Sequence, residues 1–536
     1  MNHKMILRTA GLIVALEGAL LLLPTLCAVC YSEWRVALWF LVTAAVAATL
    51  GLGLVVLTRG CDRTIYAKEG FVIVALGWIL MSAIGALPFV FTGDIPAYHD
   101  AFFETVSGLT TTGASILTDI PAMSRGCLFW RSFTHWIGGM GVLVLMMAIV
   151  PDANGRSIHI MRAEMPGPVV DKIVPRVRDT AKILYLMYIG LTLAEVIFLL
   201  TGGMSLFESF IHAFGTAGTG GFSTRPESIG AFSPYIQWGV TVFMLLFGVN
   251  FNLYYLILIK RVKSALRSEE LWLYVGIFVV LTGVIAWNIR PIASGIGESL
   301  RLAAFQVASI GTTTGYATTD FNLWPNLPRM MLLLLMFIGG CAGSTAGGLK
   351  VARIGILLKS AGKELNRLRH PRSVNAVRFE GKPLSEETRA GVANYFALYA
   401  LLLAGILLLI GGEPFDMETN ISAAISCFNN VGPGFSSVGP TGGYSGYSVL
   451  AKLVLSAAML LGRLEIYPIV LSLTPSPWRK TETKRERASR KSKTAAVVKP
   501  ARFPFVHQYR KCALARVRIF AEMRLSPLQR RGKGQR

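Results

Sequence analysis

Four short polar stretches of the sequence end in a glycine turn, and each lies between two long apolar segments. A dehydrated monovalent cation needs several oxygen ligands, and main-chain carbonyls supply them without adding full charge. Glycine lets successive carbonyls turn toward one axis without steric cost, and the Thr112, Thr219 and Thr314 hydroxyls are further candidate ligands. The predicted ion-binding residues are Thr111, Thr112, Gly113, Gly218, Thr219, Gly220, Thr313, Thr314, Gly315, Asn430, Val431 and Gly432.

A single Thr-Gly turn indicates little, because such turns are ordinary in loops and glycine is common in membrane helices as well. These four turns, however, recur in one order of elements: an apolar span, a short helix, the turn, and a second span. The predicted short helices are residues 98–109, 206–215, 302–310 and 418–428. Non-helical backbone at membrane depth is tolerated only when it is buried in protein or lines a water-filled cavity. The repeat therefore predicts four walls of one pore, with the partly negative helix ends favouring a cation.

A second glycine-rich stretch lies inside the span that follows the third turn. Each helical glycine costs about 1 kcal/mol relative to alanine, so this density predicts a broken, mobile segment that obstructs the pore. Close helix packing through small residues is the alternative. Arg463 in the last span is a candidate gating residue, although a salt bridge with Glu465 is an alternative, and Lys350 together with Arg353 could simply mark a helix end. The predicted gate residues are Gly339, Gly340, Gly343, Ser344, Thr345, Gly347, Gly348, Lys350 and Arg463.

The composition is that of a membrane protein. Of 536 residues, 53% are hydrophobic and 15% are charged, whereas soluble domains carry roughly a quarter charged residues. About ten apolar runs are long enough to cross a bilayer. Glu17 and Glu195 lie alone in two of them, where we expect packing or hydrogen bonds rather than proton transport. These runs are residues 5–31, 34–58, 71–91, 127–150, 183–200, 235–259, 271–287, 330–358, 395–410 and 449–473.

The basic residues between the runs predict an orientation. Residues 156–182 contain six Lys or Arg, residues 260–267 four and residues 359–389 eight, while the opposite connections are nearly bare. By the positive-inside rule both termini are cytoplasmic, and this alternation requires the glycine turns to be re-entrant. Residues 479–536 carry 19 Lys or Arg and 3 Asp or Glu, and thus 19 − 3 = 16 of the net charge of +23. Such a tail is typical of a disordered cytosolic segment drawn to anionic lipid rather than to nucleic acid.

These observations predict an all-α polytopic membrane protein with four span–pore-helix–span repeats in pseudo-fourfold arrangement. The predicted parts are an N-terminal two-helix hairpin (1–68), repeat 1 (69–155), a cytoplasmic loop with repeat 2 (156–268), repeat 3 with a cytoplasmic loop (269–389), repeat 4 (390–478) and the basic tail (479–536). No HExxH, GxSxG or phosphate-binding glycine motif occurs, so we expect no enzyme activity and no cofactor. The lone CxxC of Cys27 and Cys30 does not predict a metal site without a second pair.

At these residues the chain resembles the Trk/Ktr/HKT superfamily of potassium transporters, and within it the bacterial TrkH/TrkG branch. The matching stretches cover nearly the whole chain through residue 478 and are 110–115, 219–223 (TGGFS), 312–318 (TTTGYAT), 339–350, 429–434 (NNVGPG) and 462–468 (GRLEIYP). In this family the glycine-rich break is an intramembrane gate loop, and the arginine that matches Arg463 stands close to it. A serine at the first filter glycine is associated with sodium transport in plant relatives, so Gly113 favours potassium.

The resemblance implies potassium uptake across the cell inner membrane, a homodimer, and a cytosolic nucleotide-binding regulatory subunit of the TrkA type. Potassium is then the transported ligand. Two features depart from the family pattern: Gly218 makes the second turn unusually rich in glycine, and the basic tail is not typical. Sodium- or proton-coupled symport stays an open alternative. A carrier built from two inverted halves and a polytopic membrane enzyme that acts on lipid are the more distant alternatives.

Overall fold

The computed structural model describes residues 2–61, 67–141, 177–371 and 376–473. Most of the predicted loop at 156–182, the end of the run at 127–150 and the whole basic tail lie outside these ranges. The described part is helical apart from one small antiparallel hairpin, β1 (Arg378–Phe379) with β2 (Lys382–Pro383). The helices before the first undescribed loop are α1 (His3–Leu20), α2 (Leu22–Cys30), α3 (Trp34–Leu57), α4 (Ala67–Gly85), α5 (Leu87–Thr92), α6 (Tyr98–Leu109) and α7 (Arg125–Gly139).

The helices after that loop follow the same alternation of long and short elements. They are α8 (Val177–Thr201), α9 (Leu206–Gly218), α10 (Pro234–Phe247), α11 (Phe251–Leu258), α12 (Val262–Ala265), α13 (Glu269–Ile289), α14 (Ile296–Gly311), α15 (Asn326–Ile338), α16 (Val351–Arg369), α17 (Glu386–Ile410), α18 (Met417–Asn429), α19 (Val449–Arg463) and α20 (Tyr467–Leu473).

The N-terminal helices form the predicted hairpin, in which α1 and α2 pack along α3, and α1 also packs on α4. Small residues allow this approach. A Cβ at Gly11 would lie 2.7 Å from the carbonyl oxygen of Gly51, and one at Gly18 would lie 2.8 Å from that of Ala44. Because lipid does not drive helices together, such close backbone contact is the usual basis of helix association in membranes.

Six of the described helical segments are long and apolar enough to cross a membrane. They coincide with six of the predicted runs and are His3–Cys30, Trp34–Leu57, Glu69–Thr92, Asp179–Thr201, Glu269–Ile289 and Glu386–Ile410. Of the other four runs, three are fully described, and each is interrupted rather than one continuous helix; the density of glycine predicted such a break for residues 330–358. Residues 235–259 bend by 89° between α10 and α11, residues 330–358 lose helical structure after Ile338, and residues 449–473 break after Arg463.

The breaks have local causes. Gly339 has a φ of 73°, a left-handed conformation that favours glycine, and it ends α15. Asn250 caps α11 with its side chain, which accepts a hydrogen bond from the Asn252 amide at 2.9 Å. Glu465 and Ile466, with φ of 60° and 62°, separate α19 from α20. Each of these helices therefore ends at mid-span because its backbone turns there.

The four short helices lie where the sequence predicts them. The first, α6, has the predicted bounds; α9 and α18 extend one to three residues beyond theirs, and α14 begins six residues earlier than predicted. Two of them begin with a side-chain cap, because Ser205 and Asp416 accept hydrogen bonds from the amides three residues on. The Thr419 hydroxyl also donates to the Asp416 carboxylate and holds the pKa of that carboxyl below its usual range.

The largest buried cluster joins the hairpin to α4, α6, α7, α9 and α19. Aromatic rings fill its centre. Phe133 stacks on Trp136 with ring centroids 5.7 Å apart and contacts Phe214 at 5.4 Å. The first and second units are therefore packed together directly behind their polar turns.

Candidate functional site

The four glycine turns share one hydrogen-bond pattern. In each turn one amide donates to the carbonyl five residues earlier in the preceding helix, and the amide before it donates to the carbonyl three residues earlier. This repetition defines which residues are equivalent in the four units. The bonds that reach back five residues are Thr112 N to Ser107 O at 2.8 Å, Gly220 N to Gly215 O at 2.8 Å, Thr314 N to Ser309 O at 2.7 Å and Val431 N to Ser426 O at 2.9 Å.

The backbone angles give the same alignment. In each turn two residues have positive φ, with one residue between them. The pairs are Thr111 and Gly113, Thr219 and Gly221, Thr313 and Gly315, and Asn430 and Gly432. Four turns of one conformation follow the C-terminal ends of four short helices, so the repeat predicted from the order of elements is present in the backbone.

The second turn departs from the predicted register by one residue. Gly218 is the last residue of α9, and Gly221, rather than Gly220, is equivalent to Gly113. The glycines on either side of Thr219 are required by packing, because a Cβ at Gly218 would overlap the His135 carbonyl and a Cβ at Gly220 would overlap the His135 ring. The sequence offered adjacent glycines, and contact with α7 decides between them. We therefore name the turns, hereafter the filter loops, as residues 111–113, 219–221, 313–315 and 430–432.

The filter loops meet in a closed ring. A Cβ built on the last glycine of each loop would overlap the carbonyl oxygen of the middle residue in the next loop, and this relation returns to its start. The overlapping pairs are Gly113 with Gly220, Gly221 with Thr314, Gly315 with Val431, and Gly432 with Thr112. Four middle carbonyls thus form one layer around a common centre, which no side chain could share without displacing a neighbour.

A cavity opens on one side of this ring. It has a volume of about 140 Å³, enough for several water molecules, and its lining includes the last glycine of every filter loop. Arg131 and Arg225 also lie in its wall. The cavity therefore leads onto all four loops at once, as the vestibule of a single path would.

Two oxygens of the filter loops are buried and have no hydrogen-bond partner within the described residues, namely Thr111 Oγ1 and Asn430 Oδ1. An unpaired buried acceptor is costly unless something else satisfies it, and a cation would do so. The hydroxyls predicted as ligands are already engaged: those of Thr112 and Thr314 bond the Thr two residues earlier at 2.8 Å and 2.7 Å. The ring therefore offers mainly main-chain oxygens.

A set of equivalent side chains in the four short helices, eight residues before the middle residue of each filter loop, differs between the units. The sequence analysis did not identify it. Equivalent positions in the four short helices hold Glu104, His212, Gln306 and Ala423. Glu104 is buried and accepts from the Ile116 amide at 3.0 Å and from Arg131 Nε at 2.6 Å. Arg131 in turn donates to Ser223 O at 3.2 Å. A buried ion pair thus ties the first loop to the second, with no sequence motif that would have indicated it.

His135 makes a second link between the same two loops. Its Nε2 accepts from the Phe222 amide at 3.3 Å, so Nδ1 carries the proton and donates to Gly108 O at 2.8 Å. The ring is fully buried and lies against Gly218 and Gly220. This histidine therefore packs directly beside the second filter loop.

On the other side of the ring lies the predicted gate. Residues 339–350, hereafter the glycine segment, are not helical. Gly339, Gly343 and Gly348 have φ of 73°, 72° and 74°. A Cβ at Gly340 would lie 2.9 Å from Gly248 O, and one at Gly347 would lie 2.5 Å from Asn429 O. The glycines thus serve both left-handed turns and close packing, and the prediction of a broken segment is correct in the backbone.

The glycine segment contacts the filter loops directly. Thr219 Oγ1 donates to Thr345 O at 3.1 Å, and the Gly347 amide donates to Thr313 Oγ1 at 2.6 Å. Thr345 Oγ1 donates to Phe247 O at 3.2 Å, and Ser344 Oγ donates to Cys341 O at 2.7 Å. The segment is therefore seated against the residues that precede the filter glycines, opposite the cavity.

Arg463 connects the glycine segment to the first unit. One guanidinium nitrogen donates to Thr345 O at 2.7 Å, and the other donates to Gly138 O at 2.6 Å and to Gly139 O at 2.7 Å. A salt bridge with Glu465 is not formed, because Glu465 pairs with Arg353 instead. Arg463 therefore uses its charge on three carbonyls at the end of α7 and in the segment.

Lys350 directly precedes α16 and so stands at a helix end, but it is not exposed there. Its side chain is buried, its φ is 73°, and its ammonium donates to Ala346 O within the glycine segment. Arg353, one turn later, lies over the Tyr395 ring at 4.0 Å in addition to its pair with Glu465. Both basic residues hold the segment and the helix that follows it.

Of the two alternatives expected for the isolated glutamates, the structure favours packing over hydrogen bonding. Glu17 and Glu195 are completely buried, and neither carboxyl oxygen of either residue has a hydrogen-bond partner among the described residues. Within the described ranges no group of three or more His, Cys, Asp or Glu side chains could hold a metal ion.

Comparison with known proteins shows which family the chain resembles. Residues 39–286 and 270–480 match the TrkH family model, described as cation transport protein. The Trk system potassium uptake protein TrkH of Escherichia coli strain K12 is 37% identical over 487 residues, which cover 89% of this chain and 100% of that protein. TrkG of the same strain is 34% identical over 483 residues, or 89% of this chain and 99% of that protein. The crystal structure of the potassium transporter TrkH from Vibrio parahaemolyticus superposes with a TM-score of 0.80 at 33% identity, covering 89% of this chain and 100% of that one.

Proposed function

The chain belongs to the TrkH family of cation transport proteins, and from that premise we propose that it takes up potassium across the cell inner membrane. Potassium is the cargo, and the path runs through the ring of four filter loops. The relatives are named as potassium uptake proteins, and their names together with the geometry of the ring support the same substrate for this chain.

The closed ring is the observation that carries the proposal. Four carbonyls from one layer, of Thr112, Gly220, Thr314 and Val431, would replace water around a dehydrated ion. The Thr111 hydroxyl, which has no hydrogen-bond partner among the described residues, would add a further ligand. Four different loops supply the ring, so the sites need not be equal in strength.

The glycine segment is the proposed gate. It occupies the side of the ring opposite the cavity, and Arg463 holds it there through Thr345 O at 2.7 Å. A cation that leaves the filter would meet this segment and the positive charge of Arg463. Opening then requires the segment to move, and its left-handed glycines allow more than one backbone conformation.

The assembly and partners are proposed from the family resemblance alone. We expect a homodimer in membrane lipid, both termini in the cytoplasm, and gating by a cytosolic nucleotide-binding subunit of the TrkA type. No nucleic-acid partner is proposed. The basic tail is assigned only an attraction to anionic lipid.

Ion flux into proteoliposomes tests the proposal. The purified chain is reconstituted without a partner and with the regulatory subunit, and uptake of the potassium analogue rubidium is measured against competing potassium and sodium. We expect potassium to compete far better than sodium. Equal competition would remove the selectivity claim, and no flux under either condition would remove the transport claim.

Proton- or sodium-coupled symport is the alternative that stays open, and a second measurement decides it. Reversal potentials are recorded across imposed pH and sodium gradients at constant potassium. A channel follows the potassium gradient alone. A reversal potential that shifts with pH or sodium would establish coupling.

A further inference from the structure

The glycine segment has a second attachment that lies away from the filter. Its first residues form main-chain bonds with the bend between α10 and α11: Cys341 N donates to Gly248 O at 2.9 Å, and Gly343 O accepts from Phe251 N at 3.1 Å. Between these two residues, the Ala342 amide donates to a side chain of a different helix. That acceptor is Glu270 Oε1, at 2.6 Å.

Glu270 lies in the first turn of α13 and is 5% exposed. A buried carboxylate accepting from a main-chain amide forms one of the stronger hydrogen bonds in proteins. Its own amide donates to Glu380 Oε1 at 2.9 Å, and Glu380 Oε1 also accepts from Ser268 Oγ at 2.9 Å. Glu270 thus binds the glycine segment through its side chain and Glu380 through its main-chain amide.

Glu380 belongs to the tip of the β1–β2 hairpin, where its φ of 52° makes the turn. The hairpin carries Phe379 into a small apolar cluster that includes Ala342 of the glycine segment and Ile356 of α16. Around this cluster the hairpin exposes Arg378, Glu380 and Lys382. The glycine segment and the exposed hairpin therefore share both a polar link and an apolar one.

On the basis of the proposed function, we propose that Glu270 is a positioning residue that latches the glycine segment closed and couples it to the β1–β2 hairpin. Besides its main-chain bonds to the bend between α10 and α11 and its contacts with the filter loops, the segment is held by two charged side chains: Arg463 at Thr345 and Glu270 at Ala342. A displacement of the hairpin moves Glu380, and with it the first turn of α13. Because interfaces of this kind switch between discrete arrangements, release of Ala342 weakens the hold on the half of the segment that Arg463 does not contact.

The test compares Glu270→Ala with Glu270→Gln in the full chain. We expect Glu270→Ala to raise partner-free rubidium flux roughly tenfold, because a charge-assisted hydrogen bond to the closed segment is lost. Glu270→Gln keeps an acceptor oxygen for Ala342 and should stay within about threefold of wild type. The matched control is Glu387→Ala, an exposed residue in the first turn of α17 with no role in the segment.

A second readout distinguishes release of the segment from general loosening. Cys341 is buried beside Ala342, and Cys127 and Cys427 are buried elsewhere. Alkylation of each thiol by N-ethylmaleimide is followed by mass spectrometry. We expect Glu270→Ala to accelerate alkylation of Cys341 alone. Equal acceleration at all three cysteines would overturn the proposal, since it would mean that the variant is simply less stable.

The outcomes separate this inference from the proposed function. One possible result is that Arg463→Ala raises the flux while Glu270→Ala changes neither the flux nor the alkylation of Cys341. That result would overturn the latch and leave the transport proposal intact. Flux in no variant and no condition would overturn the transport proposal, while selective alkylation of Cys341 would still support the latch. Glu380→Ala should reproduce the Glu270→Ala phenotype; a wild-type phenotype would overturn the coupling to the hairpin.

Discussion

Replacing Arg463 with alanine removes the side chain that ties the glycine segment to the first unit. Of the three hydrogen bonds that the guanidinium makes to carbonyls of the described residues, the one to Thr345 O, at 2.7 Å, holds the segment itself. The other two, to Gly138 O and Gly139 O, hold the end of α7 and thereby anchor the arginine. The variant should therefore release the segment while leaving the filter loops in place.

The size of the effect follows from that one bond. A hydrogen bond to a charged group contributes about 1.5–3 kcal/mol. If the closed position loses that amount relative to a displaced one, the ratio of open to closed protein rises roughly 10- to 150-fold. Removal of the positive charge beside the path acts in the same direction. Arg463→Lys keeps the charge but not the forked geometry, so an intermediate increase is expected.

The assay is rubidium uptake into proteoliposomes that contain the chain without any partner protein. Thermal unfolding in detergent is measured in parallel, since the loss of two anchoring bonds on α7 lowers stability as well. Partner-free flux that rises in Arg463→Ala at unchanged potassium selectivity would support the reasoning. Wild-type flux in a variant that folds would refute it, because the segment would then stay closed without its main tether.

Three further predictions concern the filter and the buried charges. Gly113→Ser and Gly221→Ser should both reduce the preference for potassium over sodium, measured as competition against rubidium uptake, because either side chain would overlap a carbonyl of the next loop. Unchanged selectivity in Gly221→Ser would contradict the register assigned to the second loop. Arg131→Met leaves Glu104 buried without its charge partner and should destabilise the protein by about 3–5 kcal/mol, seen as a lower thermal midpoint that the added Glu104→Gln partly restores. Glu17→Gln should keep wild-type flux at an equal or higher thermal midpoint, since a charge there has no partner; lost flux would give Glu17 a role in transport.

Intramembrane ionisable residues are expensive unless they face a partner, and three of the described buried basic residues pair with a carboxylate. Arg131 pairs with Glu104, Arg353 pairs with Glu465, and Lys452 lies 2.6 Å from Asp100. Arg463 donates in addition to the carbonyls of Thr345, Gly138 and Gly139.

Local features of the sequence were sufficient for the elements themselves. Apolar length identified the six long spans, and a polar stretch before a glycine turn identified α6, α9, α14 and α18 within a few residues of their bounds. The density of glycine predicted the break at residues 339–348. In each case the cause lies within one stretch of chain, namely hydrophobic length, helix propensity, or the freedom of glycine to adopt positive φ.

Contacts between distant residues decided the rest. Gly218, Gly220 and Gly221 all fit a turn in sequence; the backbone conformation shows that Gly221 ends the loop, where it meets Thr314 O of the next loop, while Gly218 and Gly220 are packed against His135, more than eighty positions earlier. The choice of Arg353 over Arg463 as partner of Glu465 likewise depends on how α16 packs beside the break after α19. The closed ring of loops and the pairing of buried charges involve residues that are far apart in the sequence. Sequence spacing cannot predict them, because they depend on the free energy of packing and of burying charge in three dimensions. The sequence therefore determined the individual helices and turns, and the tertiary structure determined how they are aligned with one another.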